Sequence, residues 1–408
     1  MADWVSKLIK GDRYMIGAIL FLMVVSLLAV YSSTTPLAYR TQDGNTTYYL
    51  LKHGAMLIGG GVILGLTSRI HPKYLAGLAE VMLAVSLVLV LLTMVIGTSI
   101  NGSSRWLSFG GLRFQPSEIA KISLVLFVAK QLAMKKNPND AFWPIVVATA
   151  LICGVIMIEN LSTCLLIVCA VGAMMVIGQV SWVKLGMTAL VGGVCVALLI
   201  ALAPMKVVKS NFGRALTWRG RIERYVGSPV FEPIDKAFGF ERSAAAFDSK
   251  TGKGADNYQA NMALAAVSTG GIGGRGPGNS YLKNFLPEAE SDFIFSIILE
   301  EYGLWGCLLI LSAYVTILAR ARIVASRSRY PFHIYTIVGI AILLSIQALM
   351  NMMVGVGLMP VTGQTLPMVS MGGTSNFTTG FAYGIMLSIS STTYANMKKD
   401  KQTGKNNR

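Results

Sequence analysis

The sequence predicts an all-α polytopic membrane protein with about ten transmembrane helices and a large extracytoplasmic loop between the seventh and eighth. Three observations carry that expectation. Hydrophobic residues make up 53% of the 408 and charged residues 13%, against about a quarter charged in soluble domains, and mean hydropathy is positive at +0.58. Apolar runs of about 20 residues, the length that crosses roughly 30 Å of hydrocarbon, recur along the chain. Clusters of Lys and Arg fall in alternate connections between those runs.

The first run, Tyr14 to Ser32, follows Lys7, Lys10 and Arg13 as a signal peptide would. No small-residue cleavage site follows Leu28, so the run is expected to stay as an anchor. The next six are Tyr49 to Thr67, Leu78 to Ile96, Pro116 to Ala133, Phe142 to Ile158, Leu161 to Ile177 and Leu185 to Ala203. After the long segment Pro204 to Ser291 come Asp292 to Ala319, Tyr335 to Met353 and Thr378 to Tyr394. Basic clusters at Arg69 and Lys73, at Lys130, Lys135 and Lys136, at Lys184, and at Arg320 to Arg329 alternate with poorly basic connections, which predicts both termini on the cytoplasmic side. The twelve Lys and Arg of 204–291 do not oppose this, because long loops translocate largely regardless of charge. The expected organisation is one transmembrane domain over residues 1–395, containing the loop 204–291, and a short basic cytoplasmic tail over 396–408.

The net charge of +16 is scattered among spans rather than gathered in one basic domain, so anionic membrane lipid fits it and nucleic acid does not. The five cysteines sit in apolar runs without metal-ligand spacing and read as small buried hydrophobes, with no disulfide framework. His53, His71 and His333 lie near expected span ends and read as interfacial.

An ionisable residue at the bilayer centre costs about 2.5 to 3.5 kcal/mol on insertion scales, so each must be paired, near the surface, or useful. Those in or at spans are Glu80, Glu118, Lys121, Glu159, Asp292, Glu300 and Glu301. Polar residues gather in three places. In Asn101 to Lys121, Trp106 to Phe114 alternates around Gly110-Gly111 as a hairpin would, and Pro116 suits the first turn of the fourth span. Glu118 there meets the positive end of the helix dipole and Lys121, three residues on, shares its face. The pair is either structural or the polar wall of a headgroup-sized cavity with Arg105 and Trp106 at its rim.

The second place is Thr269 to Phe293, with six glycines in nine residues from Gly270 to Gly278. That backbone either approaches a ligand or simply turns; a dinucleotide site needs a βαβ unit that is absent. Glu288, Glu290 and Asp292 follow at the mouth of the eighth span, where acids also cap helices. The third, Asn351 to Asn376, is uncharged and punctuated by Gly and Pro between two spans, so its irregular backbone packs in protein or lines a cavity. In the long loop, Arg214, Arg219, Arg221 and Arg224 alternate with Phe212, Trp218 and Tyr225, as interface anchors or as partners for a diphosphate. Val226 to Tyr258 reads as a mobile external loop suited to docking a partner.

Three motifs in order resemble the SEDS family of membrane glycosyltransferases. They are Arg105-Trp106 with Gln115-Pro116-Ser117-Glu118 and Lys121, Leu286-Pro287-Glu288 with Asp292-Phe293, and Gly357 to Ser375. Gly278-Asn279-Ser280 before Leu286-Pro287-Glu288-Ala289 is similar to the division and sporulation branch. The chain departs from the pattern at Glu159-Asn160-Leu161-Ser162-Thr163, at Glu290-Ser291 and at Met368, and the extra carboxylate of Glu290 bears on the titration of Asp292 or attracts a cation.

The resemblance implies a lipid II polymerase of the bacterial cytoplasmic membrane, at the division septum, working with a class b penicillin-binding protein and other divisome membrane proteins. It implies Asp292 as the general base of an inverting transfer. With the polar residues read above, the candidate substrate-binding or cavity residues are Arg105, Trp106, Gln115, Ser117, Glu118, Lys121, Arg214, Arg221, Glu288, Glu290, Asn351, Thr362 and Ser370. Positive charge or a divalent cation, magnesium or manganese, would steady the leaving diphosphate. A lipid II flippase needs the same spans and cavity but no base, and a division scaffold needs only the outer loop and tail.

Overall fold

The computed structural model describes residues 10–41, 43–100, 103–109, 112–205, 208, 215–226, 230–238, 255–286 and 288–402. Each of the ten apolar runs is a helix. They are α1 (Arg13–Ser33), α3 (Thr46–Thr67), α4 (Pro72–Ile96), α5 (Pro116–Met134), α6 (Phe142–Glu159) and α7 (Leu161–Ile177), then α8 (Trp182–Ala201), α12 (Ile294–Arg327), α13 (Pro331–Gly355) and α14 (Gly373–Gln402). Among the described residues, 7 helices are long and apolar enough to cross a membrane by length and composition alone. The other three are α7, with 17 residues, α5, which carries Glu118, Lys121 and Lys130, and α14, rich in Ser, Thr and Gly. α7 falls short by length alone, whereas the polar content of α5 and α14 is what a bundle interior tolerates and lipid does not.

Shorter elements complete the chain. α2 (Thr35–Thr41) follows α1, and α9 (Ala215–Val226), α10 (Glu232–Phe238) and α11 (Ala255–Gly270) lie in the long loop. Strands β1 (Thr98–Ile100), β2 (Ser103–Phe109) and β3 (Leu112–Phe114) form an antiparallel sheet in that order. The expected hairpin is the β2–β3 pair, with Leu107 opposite Phe114 and Phe109 opposite Leu112. Much of the expected docking loop, like Arg214, lies outside the described residues. α14 runs on to Gln402, so the basic tail begins as helix rather than as a free end.

The bundle is centred on α13, 67% of whose apolar stretch is buried, and α8 is peripheral at 6%. α13 packs on α5, α7 and α12, and α3 packs along α14. Two expectations change. Cys153 and Cys164 are buried, but Cys169 and Cys195 are exposed on outward helix faces, because apolar surroundings in a membrane include lipid as well as core. His53 is fully buried rather than interfacial; its Nε2 lies 2.7 Å from Ser26 Oγ, which donates to the Val369 carbonyl at 2.8 Å.

The glycine-rich stretch turns out to be a clasp on α12. Gly303 has φ 62 and ψ −157 inside that helix, a conformation open to Gly alone at low cost. The break removes the bond between Leu304 N–H and the Glu300 carbonyl, and the loop supplies both replacements. Leu304 N–H donates to Gly271 O and Ile272 O at 3.2 Å each, while Arg275 and Gly276 N–H donate to Glu300 O and Glu301 O at 2.9 Å. The buried side chains of Glu300 and Glu301 are satisfied in the same clasp. Glu300 accepts from Tyr281 N–H at 3.0 Å and lies 3.6 Å from the Arg275 guanidinium. Glu301 accepts from Ser32 Oγ, and Lys283 Nζ donates to that hydroxyl at 3.2 Å. A buried charge without such partners would be costly.

Candidate active site

The three polar stretches converge on one cavity of about 230 Å³. Trp106 comes from β2, Gln115 and Glu118 from the start of α5, and Glu288, Ser291 and Asp292 from the turn before α12. Gly363 to Thr365 and Met371 to Ser375, from the irregular segment and the start of α14, form the opposite wall. The wall is polar because helix ends and irregular backbone supply it, and such backbone survives at membrane depth only where protein or a cavity receives it.

Pro116 opens α5 with Gln115 at the N-cap, which sets Glu118 in the first turn. Lys121 Nζ pairs with Glu118 Oε1 at 2.8 Å and donates to Gln347 Oε1, also at 2.8 Å. Gln347 Nε2 in turn donates to the Thr365 carbonyl at 3.0 Å. One cation in the bundle thus orients a wall carboxylate and, through a glutamine on α13, the segment across the cavity.

Asp292 lies outside its helix, since α12 begins at Ile294 with Phe293 at the N-cap. Several bonds fix this turn. Asn351 Nδ2 donates to the Asp292 carbonyl at 3.0 Å and to Gln364 O at 2.7 Å. Ser370 Oγ donates to the Ser291 carbonyl at 2.6 Å, and Met371 N–H to Glu290 O at 2.8 Å. The Ser291 hydroxyl lies 3.1 Å from Glu288 Oε2 and 3.4 Å from Asp292 Oδ1. The residue that enables the opposing turn is Met368, at φ 62, a strained position for a non-glycine that persists only where its surroundings over-determine it. They do so here: Tyr314 OH donates to Pro367 O at 2.6 Å, and the Ser26 hydroxyl backed by His53 donates to Val369 O.

Of the residues expected at the site, Trp106, Gln115, Glu118, Glu288 and Asp292 line the cavity. Lys121, Asn351 and Ser370 stand behind it as its hydrogen-bonding frame, and Thr362 is buried outside the lining. Ser117 borders a separate small void and accepts from Gln115 Nε2 at 2.9 Å. Arg221 donates to the Val361 carbonyl at 2.8 Å, tying α9 to the irregular segment. Glu290 is half-buried beside the cavity, and Arg105 contributes the β2 backbone. Gln347, Gln364 and Thr365 were missed. A glutamine within an apolar span was the available signal for Gln347. Gln364, whose Nε2 donates to Thr163 Oγ1 at 2.9 Å, had no such mark in a stretch already polar.

The chain is similar to known proteins over nearly its whole length. Residues 12–395 match the family described as cell cycle protein, the family of FtsW, RodA and SpoVE. A probable peptidoglycan glycosyltransferase FtsW of Halomonas elongata is 30% identical over 384 residues, 93% of this chain and 90% of that protein. The Bacillus subtilis protein of the same name is 28% identical over 410 residues, covering 97% and 95%. Among solved structures, a chain of a peptidoglycan synthase complex, described as coordinating polymerization and crosslinking, superposes with TM-score 0.68 at 25% identity over 94% of this chain and 98% of that one. The rod shape determining protein RodA of Thermus thermophilus shares the fold at TM-score 0.65 and 22% identity, with coverage of 94% and 98%. With the helical bundle, the three converging stretches and a family match that spans both, this chain belongs to the FtsW, RodA and SpoVE cell cycle protein family.

Proposed function

We propose that the protein is a peptidoglycan glycosyltransferase that polymerises lipid II, with Asp292 as the general base. The observation that carries this reading is the cavity itself: a carboxylate on a turn fixed by Asn351 and Ser370 faces a wall that includes Glu118. Asp292 would accept the proton of the acceptor sugar hydroxyl as that oxygen attacks the donor's anomeric carbon. The bond to the lipid diphosphate breaks with inversion, and the diphosphate leaves with the electron pair. Glu118, on the cavity wall and paired with Lys121 Nζ at 2.8 Å, is placed to accept hydrogen bonds from sugar hydroxyls.

The leaving diphosphate calls for positive charge. Glu288 and the Ser291 hydroxyl supply oxygen donors of the kind a hard divalent cation takes when substrate phosphates complete its shell. Among the described residues no group of three or more His, Cys, Asp or Glu forms an all-protein metal cage, so magnesium or manganese would arrive with the substrate. When bound it would neutralise charge on the departing phosphate.

The relatives' names and the division-type Gly278-Asn279-Ser280 support a role in septal wall synthesis in the cytoplasmic membrane, and the alternating basic connections support both termini inside. The neighbouring synthase complex supports a class b penicillin-binding protein as partner. Asp292→Asn keeps the shape and removes the basicity, so purified variant should lose about 10² to 10⁴-fold in polymerisation rate while inserting and folding normally. Polymerisation at the wild-type rate would remove Asp292 from the chemistry.

A further inference from the structure

A cavity larger than the one at Asp292 lies elsewhere in the bundle. It is an apolar groove of about 430 Å³ between α1, α3 and the middle of α14, lined by side chains such as Ile19, Met23, Ile58 and Val62. Its lining is apolar except for Arg69, at the turn after α3. Leu20, Ile58, Val62 and Leu66 are exposed along it, so the groove opens sideways to the surroundings of the bundle rather than into its interior. Its volume is within the range of small-molecule sites.

The position of the groove is fixed by α14. Gly373, at the start of that helix, lines the Asp292 cavity, and Leu387 lines the groove. Fourteen residues of helix separate them by about 21 Å, a large part of a hydrocarbon core of about 30 Å. The two sites therefore face opposite leaflets.

The groove end is basic. A Cβ built on Gly11 would meet Leu387, and the Ser388 hydroxyl donates to the Ile70 carbonyl. These contacts bring the segments bearing Lys10 and Arg13, and Arg69 and Lys73, around the same turn of α14. All four basic side chains are exposed, and Arg69 is the charged residue among the described residues that line the groove. Tyr14 and Tyr74, each 67% exposed, sit among them as residues of the headgroup level do. An isolated interfacial Arg is ordinary snorkelling. An Arg at the mouth of an acyl-sized apolar groove, with three more exposed cations on the adjoining segments, selects a ligand with one negative charge above a hydrocarbon tail.

We propose that this groove is a binding site for an anionic phospholipid of the leaflet opposite the chemistry, its acyl chain between α1 and α3 and its phosphate at Arg69. The site does not depend on the role assigned to Asp292. It would couple the packing of α1 and α3 against α14, and hence the seat of the cavity wall, to the headgroup composition of the membrane.

Full-length protein equilibrated with equimolar phosphatidylglycerol and phosphatidylcholine vesicles, then extracted and examined by native mass spectrometry, should retain phosphatidylglycerol preferentially. Arg69→Gln should reduce that preference about fivefold, and Arg69→Lys should restore most of it. A Cβ at Gly65 meets nothing within 4 Å and the residue lines the groove, so Gly65→Leu places a side chain in the space of the acyl chain and should abolish retention of either lipid. A phosphatidylglycerol with a photoreactive acyl chain should label α1 and α3 of the unaltered protein, which keeps the test independent of how variants fold. Equal retention of the two lipids by the wild type, no change in Arg69→Gln, or labelling spread evenly over the bundle would overturn the proposal. Labelling displaced by undecaprenyl phosphate but not by excess phosphatidylglycerol would assign the groove to a carrier lipid and overturn it equally.

Discussion

Lys121 holds the Glu118 carboxylate and Gln347 Oε1 at 2.8 Å each while being 2% exposed. Removing one partner of a buried pair leaves the other charge uncompensated, at about 3 to 5 kcal/mol. Glu118→Gln and Lys121→Met should each lower the thermal unfolding temperature, and the double variant should lose much less than their sum. Additive losses in that cycle would show that the two side chains do not act as one unit. The i, i+3 spacing of this pair was legible in the sequence because helix geometry alone puts the residues on one face. Its continuation to Gln347 and Thr365 was not, since that contact joins residues 226 apart in the chain and depends on how α5 and α13 pack. For the same reason Asn351 and Ser370 were expected as cavity residues, whereas both point into the backbone of the neighbouring turns. Polarity marked them as special without saying which way they face.

At the scale of elements, the exchange of hydrogen bonds between α12 and the glycine-rich clasp makes a sharp demand on two residues. A Cβ on Gly303 would stand 2.4 Å from Gly274 N, and one on Gly274 would stand 2.3 Å from Glu301 O. Both positions also have positive φ, 62 and 74. Gly303→Ala should therefore straighten α12 or expel the clasp, leaving the buried Glu300 and Glu301 without their loop partners. The expected loss of several kcal/mol would appear as a large drop in unfolding temperature and as protease cleavage near Arg275 and Lys283. A variant as stable and as resistant as wild type would contradict the clasp. The sequence displayed the glycines but left two uses open, ligand approach or free turning. The observed use is a third, a backbone repairing a broken helix, and it became visible only once Gly303 was seen to interrupt an apolar span that otherwise reads as continuous.

At the scale of the whole molecule, the ten apolar runs foretold the ten long helices because hydrocarbon thickness fixes their length. Which of them would be central was not foretold, because α8 and α13 are similarly apolar yet differ tenfold in burial. The end of the bundle opposite the cavity is closed by Asp12, which caps α1 and bonds to Arg320 of α12 and Tyr394 of α14. Burial opposes its ionisation, but hydrogen bonds from Arg320, Tyr394 and the Met15 amide outweigh that and hold its carboxyl below the ordinary range. A depressed carboxylate stabilises the fold above its unfolded value of about 3.9 and loses that contribution as pH falls through the folded value. The stability gap between wild type and Asp12→Asn should thus be full at neutral pH and shrink below about pH 4; a gap independent of pH would contradict this lock. The central claim is that the cavity performs glycosyl transfer rather than passage of a lipid headgroup. Its most direct test is purified protein in liposomes, with and without a class b partner, given lipid II on the face bearing the Asp292 cavity. The account predicts glycan polymer with no requirement for translocation, and its loss in Asp292→Asn; movement of labelled lipid II between leaflets, unchanged by Asp292→Asn and without any polymer, would contradict it.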